Sequence, residues 1–204
     1  CLVGSEMCIR DRPEKLRLRF EKTGRAIYIS HLDLMRTMQR VFLRADCPLK
    51  YSEGFNPHAI ISILLPLSVG VGSVCELMDF QLREDVDLAA LPERLTAVMP
   101  EGIRALEAYP AGRKVRELKW LRVTGRYEYD RAEPAEMAQK LSAFYARDAI
   151  VITRKTKRGE GQMDIVPAIA ELHIRPEDTC VTVEAVVSAQ EPTLNPDHLV
   201  AALQ

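Results

Sequence analysis

Leu16, Leu18 and Phe20 alternate with Lys15, Arg17 and Arg19. That two-residue period predicts a strand with one buried face. Lys22-Thr-Gly24 turns the chain, and 26–29 reads as a second short strand or a continuation of the first. Ser30-His-Leu-Asp33 then opens a helix, with Ser30 as cap and Asp33 in the place of the usual capping-box Glu. Met35, Met38, Phe42 and Ala45 give that helix an apolar stripe, and Pro48 ends it. Strands are predicted over 60–65, 74–82 and 103–109, with a helix over 88–99 before the last of them. The succession is β-α-β-β-α-β, the ferredoxin-like pattern.

After Pro110-Ala-Gly112 the pattern restarts. Leu121, Val123, Tyr127 and Tyr129 share a strand face, and Met137, Leu141, Phe144 and Tyr145 line a helix. A strand over 149–153, a turn over 157–161, an irregular stretch over 164–170, a strand over 179–187 and a helix from Pro196 follow. The expected class is therefore α+β, with two ferredoxin-like halves built on antiparallel sheets. The second half lacks its last strand, which would leave a sheet edge unpaired. Residues 13–112 form the first half and 113–204 the second. Residues 1–12 continue no element and carry no apolar signal segment, so they read as a non-native or disordered tail.

Composition changes this picture little. The 204 residues are 47% hydrophobic and 28% charged, an ordinary globular balance that excludes collagen-like and disordered classes. The five cysteines include no C-x-x-C pair, so no zinc ribbon or dithiol site is indicated and a reducing, cytoplasmic setting is expected. The longest uncharged stretch, 59–75, is broken by Pro66, Gly70 and Gly72, so no membrane span is predicted.

Charge is informative once divided. Residues 14–60 carry nine basic and five acidic side chains and 61–112 carry three and eight. Residues 113–158 carry thirteen and six, and 159–204 carry one and eight. Each half starts basic and ends acidic, so an acidic partner could meet the basic segments if the fold gathers them on one face.

Four sets of residues invite a functional reading. Arg36, Arg40 and Arg44 lie four apart along one side of the first helix, as phosphate contacts or as a solvated face. The turn-rich run Tyr51-Ser-Glu-Gly-Phe-Asn-Pro-His58 offers Tyr51 and Phe55 for stacking on a base. Ser52, Asn56 and His58 are there to bond its edge, unless the loop is purely structural. Arg154, Lys155, Lys157 and Arg158 form a basic hairpin tip suited to a nucleic-acid backbone or to keeping a turn soluble. Arg122 and Arg126 share a strand face with Trp120, which adds cation–π contact. His31, Asp33 and His58 are the possible metal ligands, but His31 and Asp33 have simpler roles in the helix start, so no metal is assigned. His31 or His58 is the candidate for acid–base work if the chain is an enzyme.

Tyr28-Ile-Ser-His-Leu-Asp-Leu-Met-Arg36, Tyr51 to His58, Pro66-Leu-Ser-Val-Gly70 with Glu76, and Met163-Asp-Ile-Val-Pro167 together resemble the radical SAM-linked domain family of unknown function. The resemblance runs from Lys15 to the end. It implies a bacterial cytosolic protein that stands alone or is fused behind a radical SAM enzyme. S-adenosylmethionine and an iron–sulfur cluster would belong to that partner, because this chain has no C-x-x-x-C-x-x-C motif. Relatives commonly follow the loop histidine with Pro-Lys, where this chain has Ala59-Ile60. The leading expectation is a non-catalytic accessory domain that binds RNA for the partner. The alternatives are a metal-independent RNA endonuclease using His31 with Arg36 or Arg40, and a module that only docks the radical SAM protein.

Overall fold

The computed structural model describes residues 15–129, 133–156 and 159–203; the expected tail at 1–12 lies outside them. The chain divides into two compact units between Arg113 and Lys114, one residue past the expected boundary. It is α+β with antiparallel sheets.

The first unit runs β1 (Leu16–Lys22), α1 (His31–Arg44), β2 (Ile61–Leu64), β3 (Ser73–Phe80), α2 (Leu91–Thr96) and β4 (Ile103–Pro110). Its four strands lie in the order β2-β3-β1-β4, each antiparallel to its neighbour. Leu18, Phe20, Met78, Phe80 and Ile103 face α1 and α2 in one core. The buried stripe of α1 is Leu34, Met38, Val41 and Phe42, with Met35 and Ala45 only at its margin. Leu34 and Val41 rotate the stripe from the predicted one, because they fill the same side as Met38 and Phe42. Ser30 caps α1 by accepting the Asp33 N–H at 3.2 Å. Residues 24–28 form a 3-10 turn, not a strand: Gly24 takes φ +54 and Ile29 N–H closes back on Ala26 O.

The second unit runs β5 (Trp120–Glu128), α3 (Pro134–Tyr145), β6 (Val151–Thr156), β7 (Gly159–Asp164), β8 (Ile169–Pro176), β9 (Cys180–Ser188) and α4 (Pro196–Ala201). The expected β-α-β-β-α succession is corrected here. β6 and β7 pair only with each other, and a separate sheet has the order β5-β9-β8. The stretch expected to be irregular ends β7, passes through a 3-10 turn at Val166–Ala168 and starts β8. Asp164 fixes that junction, its Oδ1 accepting the Ile150 and Val166 N–H groups at 3.0 and 3.1 Å. Val181, Val183, Ala185 and Val187 of β9 face Leu141 and Tyr145 of α3.

Among the described residues β5 pairs with β9 alone. Its inward Leu121, Val123 and Tyr127 stay only partly buried, whereas the matching Leu18 and Phe20 of β1 are fully buried between two strand neighbours. Backbone amides of β5 directed away from β9 are expected to exchange with deuterium much faster than those bonded to it. Uniform protection along β5 would show the edge to be covered.

Candidate nucleic-acid interface

The chain leaves α1 and is captured at once by the end of β3. Leu49 bridges Leu82, Lys50 N–H bonds Gln81 O at 2.8 Å, and Arg83 N–H bonds Pro48 O at 3.0 Å. The 51–58 loop grows from this fixed base. Tyr51 bridges Ala59, and Ser52 N–H bonds His58 O at 2.8 Å. The Ser52 hydroxyl accepts His58 N–H at 3.1 Å and lies 2.8 Å from Nδ1. The two contacts hold the His58 ring and backbone against one hydroxyl and leave Nε2 pointing away from the clamp. Beyond this clamp Gly54 turns at φ +123, and Phe55 stands fully exposed among exposed Glu53, Gly54, Asn56 and Pro57. A large apolar ring in that setting contributes nothing to the core.

Arg83 completes the loop. Its guanidinium carbon lies 5.6 Å from the centroid of the Tyr51 ring, within cation–π range. Sequence reasoning passed over Arg83. The signal was available only through pairing, since it directly follows the Leu82 that meets Leu49.

The remaining candidates sit elsewhere. Arg36, Arg40 and Arg44 are exposed on the side of α1 away from its core stripe. Eight residues of helix separate the first from the last, about 12 Å. Arg36 is tied to Asp33 at 3.1 Å. The Asp33 carboxyl is held below its ordinary range by the Ser30 hydroxyl and then by Arg36. Arg40 and Arg44 make no ion pair among the described residues. His31 is exposed at the first residue of α1, while His58 belongs to the loop reached after the helix ends, and the helix is about 20 Å long. No group of three metal-ligating side chains occurs among the described residues. Arg154 and Lys155 lie on β6, and Lys157 and Arg158 fall outside the described residues.

The charge halves meet inside each sheet. On the face of the first sheet opposite the helices, Arg17 is paired with Asp79 at 2.6 Å, Arg19 with Glu107 at 3.3 Å, and Glu21 with Arg104 at 2.9 Å. Each pair is directly opposite in the strand register. In the second unit Arg122 and Arg126 share an exposed face with Trp120, as expected. Acids meet them there: Glu171 lies 3.9 Å from Arg122, and Arg126 helps to hold the Glu177 carboxyl below its ordinary range, after the hydrogen bond from Thr182. Arg17, Arg19 and Arg122 are thus met by acids that arrive later in the chain, and Glu21 of β1 by the later Arg104.

Two further motif residues have structural roles. Gly70 N–H bonds Ile27 O at 2.9 Å, fastening the 66–72 loop to the 3-10 turn. Glu76 is 5% exposed, on the same side of the sheet as Met78 and near Lys22, which is 2% exposed.

Among the described residues no helix is long and apolar enough to cross a membrane. No curated protein is similar enough to this chain to count as a match. A family model does match residues 15–196, which include the 51–58 loop and all three sheets: DUF2344, described as an uncharacterized protein conserved in bacteria, is the family to which the chain belongs.

Proposed function

We propose that this chain is a non-catalytic accessory domain that binds RNA through the 51–58 loop and works with a radical SAM enzyme in the cytoplasm. The observation that carries the reading is Phe55, a fully exposed ring on a polar loop whose base is clamped by Ser52 and His58. A protein interface needs a contiguous patch of roughly 800 Å² on each partner. The immediate neighbours of this ring are polar or small, which suits the flat face of one base. Tyr51 under Arg83 offers a second stacking surface, and Asn56 and His58 bring edge-bonding groups. The radical SAM partner, with its S-adenosylmethionine and cluster, rests on the motif resemblance.

The strand order β2-β3-β1-β4 with a β-α-β-β-α-β succession supports a ferredoxin-like first unit. The order β5-β9-β8 supports the same plan in the second, with the β6-β7 hairpin inserted after α3 and β5 paired among the described residues with β9 alone.

The test is fluorescence anisotropy with a labelled RNA of mixed sequence, the chain being compared with Phe55→Ala and Arg83→Ala after circular dichroism shows both to be folded. Loss of one stacking contact should weaken binding about 5- to 100-fold for Phe55→Ala, and less for Arg83→Ala. Equal affinity of Phe55→Ala and the unaltered chain would overturn the reading.

A further inference from the structure

We infer that the ligand of the 51–58 loop is an unpaired nucleotide, in a single strand or a bulge, held mainly by stacking and only weakly by phosphate contacts. The inference rests on the RNA-binding reading and deepens it.

The first argument is access. Phe55 projects from a turn whose base is held by the Tyr51–Ala59 bridge and the Ser52–His58 bonds. Its ring is fully exposed, between Gly54 and Asn56 in the chain, and has a π-face to offer. Bases inside a duplex already use both faces in stacking, so such a ring finds a free face only where a base is unpaired. The exposed imidazole of His58 and the Asn56 amide on the same loop would meet the Watson–Crick edge that an unpaired base leaves open.

The second argument is charge. Proteins that track a duplex backbone neutralise many phosphates, and their affinity falls steeply with salt. Here the sheet arginines are largely committed to carboxylates of their own face. The cations belonging to the loop and its base are Lys50 and Arg83, and Glu53 on the same loop opposes them. One or two phosphate contacts are what this loop can make.

The experiment compares three forms of one labelled RNA: the free strand, the same strand annealed to its full complement, and a duplex carrying a one-nucleotide bulge. Binding is read by anisotropy over a series of salt concentrations, for the full chain and Phe55→Ala. The free strand should bind at least about 10-fold more tightly than the duplex, the bulge should recover much of that preference, and Phe55→Ala should remove it. For the free strand the logarithm of affinity should fall with that of salt with a slope of about −0.7 to −1.4. Duplex binding as tight as strand binding, or a slope near −5 or steeper, would overturn this inference and leave RNA binding standing. Binding to none of the three would overturn the RNA-binding reading itself.

Discussion

Asp79→Ala is expected to lower the unfolding free energy of the first unit by about 3 to 5 kcal/mol. Asp79 is 2% exposed and accepts Arg17 Nε at 2.6 Å and Nη2 at 3.2 Å, while Lys15 Nζ lies 2.6 Å away. Arg17 is itself only 7% exposed, so the variant strands a buried guanidinium. The cost is mostly that orphaned charge and not the worth of the pair. Replacing both partners, as Arg17→Met with Asp79→Leu, should therefore restore much of the loss. Exchange of the core amides of Leu18 and Phe20 reads the first unit by itself. A double variant no more stable than Asp79→Ala would refute this account.

Acid separates this carboxylate from its neighbour on β3. Burial pushes the Asp79 carboxyl up, but the hydrogen bonds and charges of Arg17 and Lys15 outweigh it, and the folded value lies below the ordinary one. Its stabilisation is present above the ordinary Asp range and is lost as pH falls through the depressed value. Glu76 behaves in the opposite sense. Burial raises it, and the Ser73 hydrogen bond and the Lys22 charge offset only part of that. Its ionisation opposes folding at neutral pH, and the penalty disappears as pH falls below the ordinary Glu range. Glu76→Gln should then flatten the acid profile of stability on that side, while Asp79→Asn should remove the loss at lower pH. Identical profiles in Glu76→Gln and the parent would show that the buried carboxyl does not titrate as described.

Much of the first unit was legible because each signal was local. The Leu16-Leu18-Phe20 alternation, the Ser30 cap and the helix stop at Pro48 all act within one turn or one strand. The second unit was harder. β8 has the same period, with Leu172 and Ile174 half-buried and Glu171, His173 and Arg175 exposed, but a register shift between Ile169 and Glu171 interrupts it just after Pro167. A bulge hides a strand from a period count, since the residues on its two sides fall out of phase. Charge was the most misleading signal. Basic runs at the start of each half suggested a cradle for polyanions, yet antiparallel pairing sets the later Asp79 and Glu107 opposite Arg17 and Arg19. Net charge along a sequence does not say which side chains become cross-strand neighbours. The loop was the reverse case: Phe55 was visible as an aromatic among turn formers, but its exposure depends on the Leu49–Leu82 bridge and on Arg83, thirty or so residues away in the chain.

Gly102→Ala and Gly54→Ala are expected to fail in different ways, because they separate scaffold from binding. Both glycines have positive φ, +86 at Gly102 and +123 at Gly54. At Gly102 a Cβ would collide with the Thr23 carbonyl oxygen and sit 2.9 Å from Ala26 Cβ. Thr23 also donates its N–H to Gly102 O at 2.7 Å, so the two backbones cannot part without losing that bond. Overlap and backbone strain together should cost about 3 kcal/mol or more, read as a lower urea midpoint of the first unit. At Gly54 a Cβ meets nothing within 4 Å. Local rearrangement of the exposed turn relieves part of the strain and no overlap adds to it, so stability should fall by about 1 to 2 kcal/mol, less than at Gly102. That rearrangement re-aims Phe55, the next residue, so RNA affinity should fall about 10-fold in a fully folded protein. A loss of stability at Gly54 as large as at Gly102, or affinity kept there, would mean that the turn does not set the direction of the ring, and the stacking role of the loop would fall with it.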